Sequence, residues 1–363
     1  MNFLSHLKKL DWILIITVLL LISFGLVSIY SSSLGKKDFS NFKKQIVFLV
    51  IGIVLMFLFS FFDWRGFRED PYLILILYFI CLLALVGLFF FAPQIRGVKS
   101  WYKIGTLSID PAEFIKLVLV ILLAKYFSMR HIEMYRIRHI SLSGFYIALP
   151  AALIFLQPNL GTVLILIALW VGVLIISGIK LRHFIILVFC GILILVYSWG
   201  FLLKEYQKER IISFVMPAAE PLGIGWNQNQ AKIAIGSGGV FGKGIGSGSQ
   251  TQYGFLPEVQ TDFIFASIAE ETGLIGASVI LLLFIITIWR IYRIALVSKS
   301  NFPRLFAAGF CTLLISQIFI NIGMNIGVLP IIGISLPFVS YGGSGLIVML
   351  IGLGIIENIK SGL

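Results

Sequence analysis

Asp262 stands in EVQTDFIFASIAEETG (258–273), at the head of a strongly apolar run, with Glu270 and Glu271 about two turns further in. Carboxylates inside hydrocarbon cost free energy, so each needs a partner or a task. At a helix start Asp262 can cap backbone N–H groups; facing a cavity, it can take a proton from a hydroxyl. Glu270 and Glu271 lie roughly 12 Å deeper at 1.5 Å per residue and read as polar contacts within a bundle. A second group sits in SIDPAEFIKL (108–117): Asp110 is placed to cap, Pro111 suits the first helical position, and Glu113 the reciprocal position of a capping box. Lys116 has no such task, because a cation near a helix N-terminus opposes the helix dipole. It shares a face with Glu113, so internal pairing is one reading. A buried cation that meets a lipid-linked phosphate is the other.

Membrane helices must position these groups. The 363 residues are 59% hydrophobic and only 12% charged, which excludes an ordinary soluble domain. Apolar runs suited to about 30 Å of hydrocarbon predict ten spans, near 12–30, 45–62, 72–92, 113–127, 143–156, 161–177, 184–203, 263–291, 305–329 and 338–356. The expected fold is an all-α polytopic membrane protein, one domain over 1–363, with a large outer loop (204–261) between the seventh and eighth spans. Only QPNL separates the fifth span from the sixth. Pro158 favours a tight break there, and merging the two would give nine spans and flip the C-terminus. Lys8 and Lys9 before an apolar core resemble a signal peptide, but that core is long enough to span and is expected to be retained. Cys81, Cys190 and Cys311 all lie within apolar spans, so neither disulfides nor thiolate metal sites are expected.

Lys8, Lys9, Arg65, Arg68, Lys125, Arg130, Arg136, Arg138, Lys180, Arg182, Arg290, Arg293, Lys299 and Arg304 fall on one side of this scheme. Cytoplasmic loops are rich in Lys and Arg, which puts that side and both termini in the cytoplasm. The other side carries Lys36, Lys37, Lys43, Lys44, Arg96, Lys99 and Lys103, which either weaken the assignment or serve an anionic ligand. The net charge of +12 reads as membrane anchoring; without a recognition module, no nucleic-acid partner is expected.

In the outer loop, AKIAIGSGGVFGKGIGSGSQ (231–250) gathers glycine and small polar residues around Lys232 and Lys243. Backbone N–H groups there can approach anionic oxygens, so a phosphate site is one reading and a flexible surface hinge the other. It is not a Walker loop: Ser237 stands where the first glycine is needed, and Gly244 follows Lys243. No nucleotide cofactor is expected. An outer-facing transferase must then use a donor activated within the membrane, such as a polyprenyl pyrophosphate sugar. Its leaving group needs Lys, Arg or a divalent cation, magnesium or manganese, and its acceptor hydroxyl needs one carboxylate as base.

The runs AIGSGGVFGKG, FLPEVQTDFIFASIAEETG and NIGMNIGVLPIIGISLPFVSYGGSG closely resemble the SEDS family (shape, elongation, division and sporulation), with QPNLGT and DPAEFIKL matching in the right order. The lysine of GKG and the phrase LPFVSYGGS resemble the rod-elongation branch more than the division branch. The resemblance implies a peptidoglycan glycosyltransferase that polymerises lipid II at the outer face of the bacterial cytoplasmic membrane. The acceptor C4 hydroxyl would attack C1 of the donor, release undecaprenyl pyrophosphate and invert that carbon. It implies Asp262, in TDF, as the general base, and carries the acid and lysine of its EFxK pattern onto Glu113 and Lys116. Arg210, Lys232, Lys243 and Ser340 are further candidates for holding pyrophosphate or shaping the cavity. The implied partners are a class B penicillin-binding protein transpeptidase, proteins of the elongation complex and membrane lipid. Gln260, Asn159 and Gly345 depart from the commonest family pattern, and none touches the expected base.

Two other classes stay open on the residues alone. A lipid II flippase also suits many spans with ionisable groups inside, and a scaffold would need no base.

Overall fold

A computed structural model describes residues 6–61, 71–93, 99–105, 107–129, 137–216 and 224–362. The chain runs through α1 (Trp12–Lys36), α2 (Ser40–Phe61) and α3 (Pro71–Phe91), then a small antiparallel hairpin of β1 (Tyr102–Ile104) and β2 (Leu107–Ile109). It continues as α4 (Pro111–Ser128), α5 (Ile137–Leu156), α6 (Leu160–Ile176) and α7 (Leu181–Phe201). The long loop after α7 contributes α8 (Glu205–Val215), α9 (Ile224–Ser237) and α10 (Ser249–Gln252), before α11 (Ile264–Val297), α12 (Asn301–Ile326) and α13 (Gly343–Ser361).

Each predicted span therefore has its helix. Eight are long and apolar enough to cross a membrane. The other two are α6, which is slightly short, and α4, which carries Glu113, Lys116 and Lys125. Those charges do not put α4 at the surface. Ile115, Leu119, Leu123 and Phe127 are fully buried, and the helix packs against α3, α5, α6, α12 and α13. A helix apolar on nearly every side belongs in the centre of a bundle. At the opposite extreme, α7 buries only His183, leaving its apolar faces to the surrounding hydrocarbon.

Both termini gather at one face. His6 pairs with Ser60 at the end of α2, the backbone N–H of Asp11 donates to Glu357 of α13 at 2.7 Å, and Arg290 of α11 grips the Asp11 carboxylate through two nitrogens. Arg65, Arg68, Arg96, Arg130 and Arg136, used above to orient the chain, lie outside the described residues.

QPNL does break the chain between α5 and α6, and Asn159 caps the second helix by accepting from the N–H of Thr162 at 3.2 Å. The cap needs an acceptor, not a charge. Asn159→Ala should therefore cost about 1 kcal/mol, read as a lower melting temperature in detergent, while Asn159→Asp should melt with wild type.

Residues 231–250 of the long loop have structure and packing partners of their own. Ala231 and Ala234 of α9 pack with Leu256, Val259, Phe263 and Ile331 in a small core of their own. AKIAIGS is helical, and the glycine-rich turn after it lies on a break in α11, where Gly273 takes φ 68°. Around that break Lys243 N donates to Glu270 O at 3.0 Å and Gly244 N to Glu271 O at 2.9 Å, while Leu274 N and Ile275 N donate to Gly239 O and Val240 O. Groups that lose helical partners at the kink thus find loop partners. The N–H groups of Lys243 and Gly244 are thus bonded within the protein.

Candidate active site

Asp262 lies just before α11, whose N-cap position is Phe263 with no side-chain capping bond. Asp262 thus stands one residue before the N-cap position. Its segment is gripped through three successive carbonyls: Tyr341 N donates to Gln260 O at 2.7 Å, Ser340 Oγ to Thr261 O at 2.6 Å, and Asn321 and Asn325 Nδ2 to Asp262 O at 3.1 and 2.9 Å. Gln260 adds a lateral brace, donating to Ser32 and Ser33 of α1 and accepting from Asn41 of α2. Gly333 lies alongside the carboxylate, since a Cβ there would sit 3.6 Å from Asp262 Oδ2.

The irregular segment 327–342 between α12 and α13 organises the rest. Arg210 of α8 reaches its Ile331 carbonyl at 3.5 Å, two residues from Gly333. Ser340 holds it as a turn, accepting from Leu336 N at 2.8 Å while donating to Thr261. Glu113 lines a cavity of about 20 Å³ beside it, with Gln317, Ser335, Leu336, Ser340 and Gly345, which is room for about one water. The expected site residues Asp262, Arg210, Ser340 and Glu113 thus converge on one segment.

Glu113 does not close a capping box. Asp110 caps α4 by accepting from Ala112 N at 2.9 Å, but its own N–H donates to Ser344, not to Glu113. Glu113 instead pairs with Lys116 at 2.6 Å, and Lys116 is only 2% exposed. Burial, with Glu113 beside it, pushes the Asp110 carboxyl well above the usual carboxylate range. The buried lysine is thus paired with a half-buried carboxylate, which keeps the cation from standing isolated in a low dielectric.

Two candidates stand further off. Lys232 extends over Gly327, the left-handed C-cap of α12 at the start of the same segment, where the helix dipole favours a cation. Lys243 bonds to Ser249 Oγ at 2.9 Å and to Glu270 at 3.0 Å. Glu270, fully buried, also accepts from Gln250 N, Thr251 N and Thr251 Oγ1, fastening the start of α10. Glu271 accepts from Ser31, Gly246 N and Gln252, tying α1 to the loop. Glu271 thus makes a contact within the bundle through Ser31, whereas the side-chain partners of Glu270 belong to the long loop. A double-mutant cycle of Lys243→Met with Glu270→Gln should give a coupling of about 1–3 kcal/mol in thermal unfolding, and additive losses would refute the pairing.

Reading for ionisable groups missed Asn321 and Asn325. The signal was present: two asparagines one turn apart in an apolar span, each an unpaid polar group unless bonded.

The family model for FtsW, RodA and SpoVE, described as cell cycle protein, matches residues 11–362. The chain belongs to this family. It is 37% identical to stage V sporulation protein E of Bacillus subtilis, covering 96% of each chain. It is 35% identical to peptidoglycan glycosyltransferase MrdB of Escherichia coli, covering 97% of this chain and 94% of that one. A solved structure titled structural coordination of polymerization and crosslinking by a peptidoglycan synthase complex superposes with TM-score 0.82 at 30% identity, covering 97% of both chains. The family is that inferred from GKG, TDF and LPFVSYGGSG. Such close identities to a sporulation protein and to MrdB do not separate its branches.

Proposed function

We propose that this chain is a peptidoglycan glycosyltransferase that joins lipid II into glycan strands during cell elongation, at the outer face of the bacterial cytoplasmic membrane. The observation that carries the reading is a backbone-clamped Asp262 sharing one segment with Arg210 and the Glu113–Lys116 pair, in a chain alike over its whole length to a named peptidoglycan glycosyltransferase. Asp262 takes the proton of the acceptor C4 hydroxyl as its oxygen bonds to donor C1. The C1–phosphate bond breaks on the opposite face, the electron pair leaves with undecaprenyl pyrophosphate, and C1 inverts. Arg210 and Lys116 are the cations assigned to the departing phosphates; Lys232, Lys243 and Ser340 are assigned to shaping the cavity and its loop.

A divalent cation fits in one form. Among the described residues no group of three or more His, Cys, Asp or Glu forms a cage, but magnesium is commonly held by one or two carboxylates plus substrate phosphates. Asp262 would be the carboxylate for it, and an ion held there would offset pyrophosphate charge. The lysines and arginines at the face holding both termini orient that face to the cytoplasm. Membership of a peptidoglycan synthase complex by the structural neighbour supports a class B penicillin-binding protein as partner, beside elongation proteins and lipid.

The test is a gel assay of labelled lipid II with purified chain, its penicillin-binding partner and magnesium or manganese, the partner's own glycosyltransferase activity being excluded. Polymer is expected. If folded protein makes none and instead moves lipid II across vesicles, the flippase reading replaces this one.

A further inference from the structure

The groups that fix Asp262 come from outside its own helix. Asn321 and Asn325 sit one turn apart on α12, both fully buried, and both aim an amide N–H at the Asp262 carbonyl oxygen. Each is itself held. Asn321 Nδ2 also donates to Ile334 O at 2.7 Å, and Asn325 Nδ2 to Asn321 O at 2.8 Å. Asn325 Oδ1 accepts from Ala266 N at 3.2 Å, a donor in the first turn of α11 with no partner within that helix. One amide therefore bonds both the residue before the helix and the helix start itself.

We propose that Asn321 and Asn325 are positioning residues that aim the Asp262 carboxylate, and that they do so by locking its main chain. The argument rests on the reading of Asp262 as base. Within the turn before α11 the Asp262 N–H donates to Glu258 O at 3.1 Å, and Gly333, a glycine with φ 77°, lies beside the carboxylate. Gripping the Asp262 carbonyl from α12 restrains the peptide that follows, as the bond to Glu258 restrains the one before, so that the side chain swings from one origin. Asn321 carries the restraint further. Its bond to Ile334 O ties the segment bearing Gly333 and Ser335 to the same amide, so base and cavity wall move as one body. Catalysis by a positioned base loses about 10²-fold for a misplacement near 1 Å, which is the scale of shift a lost clamp permits.

The test uses full-length chain with its penicillin-binding partner, lipid II as substrate, and the variants Asn321→Ala, Asn325→Ala and both together. Each single variant leaves one amide on the Asp262 carbonyl, which keeps a folded protein in hand if the double variant fails. Rates are normalised to the fraction of protein that still binds lipid II. A single variant is expected to lose about 10-fold in kcat, and the pair about 100-fold, with KM within twofold of wild type. Unchanged kcat in folded single variants overturns the proposal. So does a rise in KM at constant kcat, which would place the asparagines in substrate binding instead. Asp262→Asn runs alongside: if it polymerises at the wild-type rate, it is the base assignment that fails, independently of where the asparagines point.

Discussion

Asp262→Asn is expected to cut glycan polymerisation by about 10²–10⁴-fold, the usual contribution of a positioned general base, while leaving the protein's melting temperature in detergent within a degree or two of wild type. The second half of that expectation comes from how the residue is held. Tyr341, Ser340, Asn321 and Asn325 grip main-chain carbonyls of the Gln260–Asp262 segment, and asparagine presents the same carbonyls. The substitution keeps the size and shape of the side chain together with this main-chain grip, while removing proton acceptance. On the proposed assignment of Arg210 and Lys116 to the phosphates, lipid II binding should survive, so the loss should fall on kcat. A well-folded Asp262→Asn protein that polymerises normally would end the base assignment. One that neither binds lipid II nor polymerises it would move Asp262 from chemistry to binding.

The contrast between Asp262 and its acidic neighbours shows how far the sequence reaches. All ten helices were legible, because hydropathy over a span and the turn chemistry of Asp110, Pro111 and Asn159 act locally. Glu270 and Glu271 could be placed inside a bundle, yet their partners could not be named. Lys243, Thr251 and Ser31 reach them only after the outer loop folds back onto α1 and α11. The capping box at Glu113 misled for the same reason. The pattern is local, but Ser344, far along the chain, takes the N–H that Glu113 would have used. Glycine in the loop was read as freedom to approach phosphate. Its close approach is instead to the backbone of a broken helix, and nothing in an apolar helical pattern announces that Gly273 breaks it.

That close approach has a measurable consequence at Gly242. A side chain there would place Cβ well under 3.0 Å from the Glu271 carbonyl and at 2.6 Å from Gly273 N, both backbone atoms that cannot swing aside. Gly273 mirrors the constraint, crowded by Gly242 N and by Val240 O at 2.5 Å. The two glycines face each other, and both take left-handed φ, 80° and 68°. Gly242→Val must push the loop off the break, which strips partners from Lys243 N, Gly244 N, Leu274 N and Ile275 N and from the carbonyls they meet. Backbone strain costs about 1–3 kcal/mol and each buried group left unpaired about 1–3 kcal/mol more, so a loss beyond about 4 kcal/mol is expected. It should appear as failure to yield monodisperse protein, or as a sharply lower melting temperature with protease cleavage within 238–252. Gly239 supplies the control: its φ is also left-handed, at 56°, but a Cβ there meets nothing within 4 Å. Gly239→Ala should cost only the left-handed conformation, about 1–2 kcal/mol. Equal losses at the two positions would mean that backbone conformation alone, and not the packing of loop on broken helix, makes these glycines necessary. A large loss at Gly242 against a small one at Gly239 would locate the stability of the outer loop in that one contact, the same contact that carries Glu270 and Glu271 to their partners.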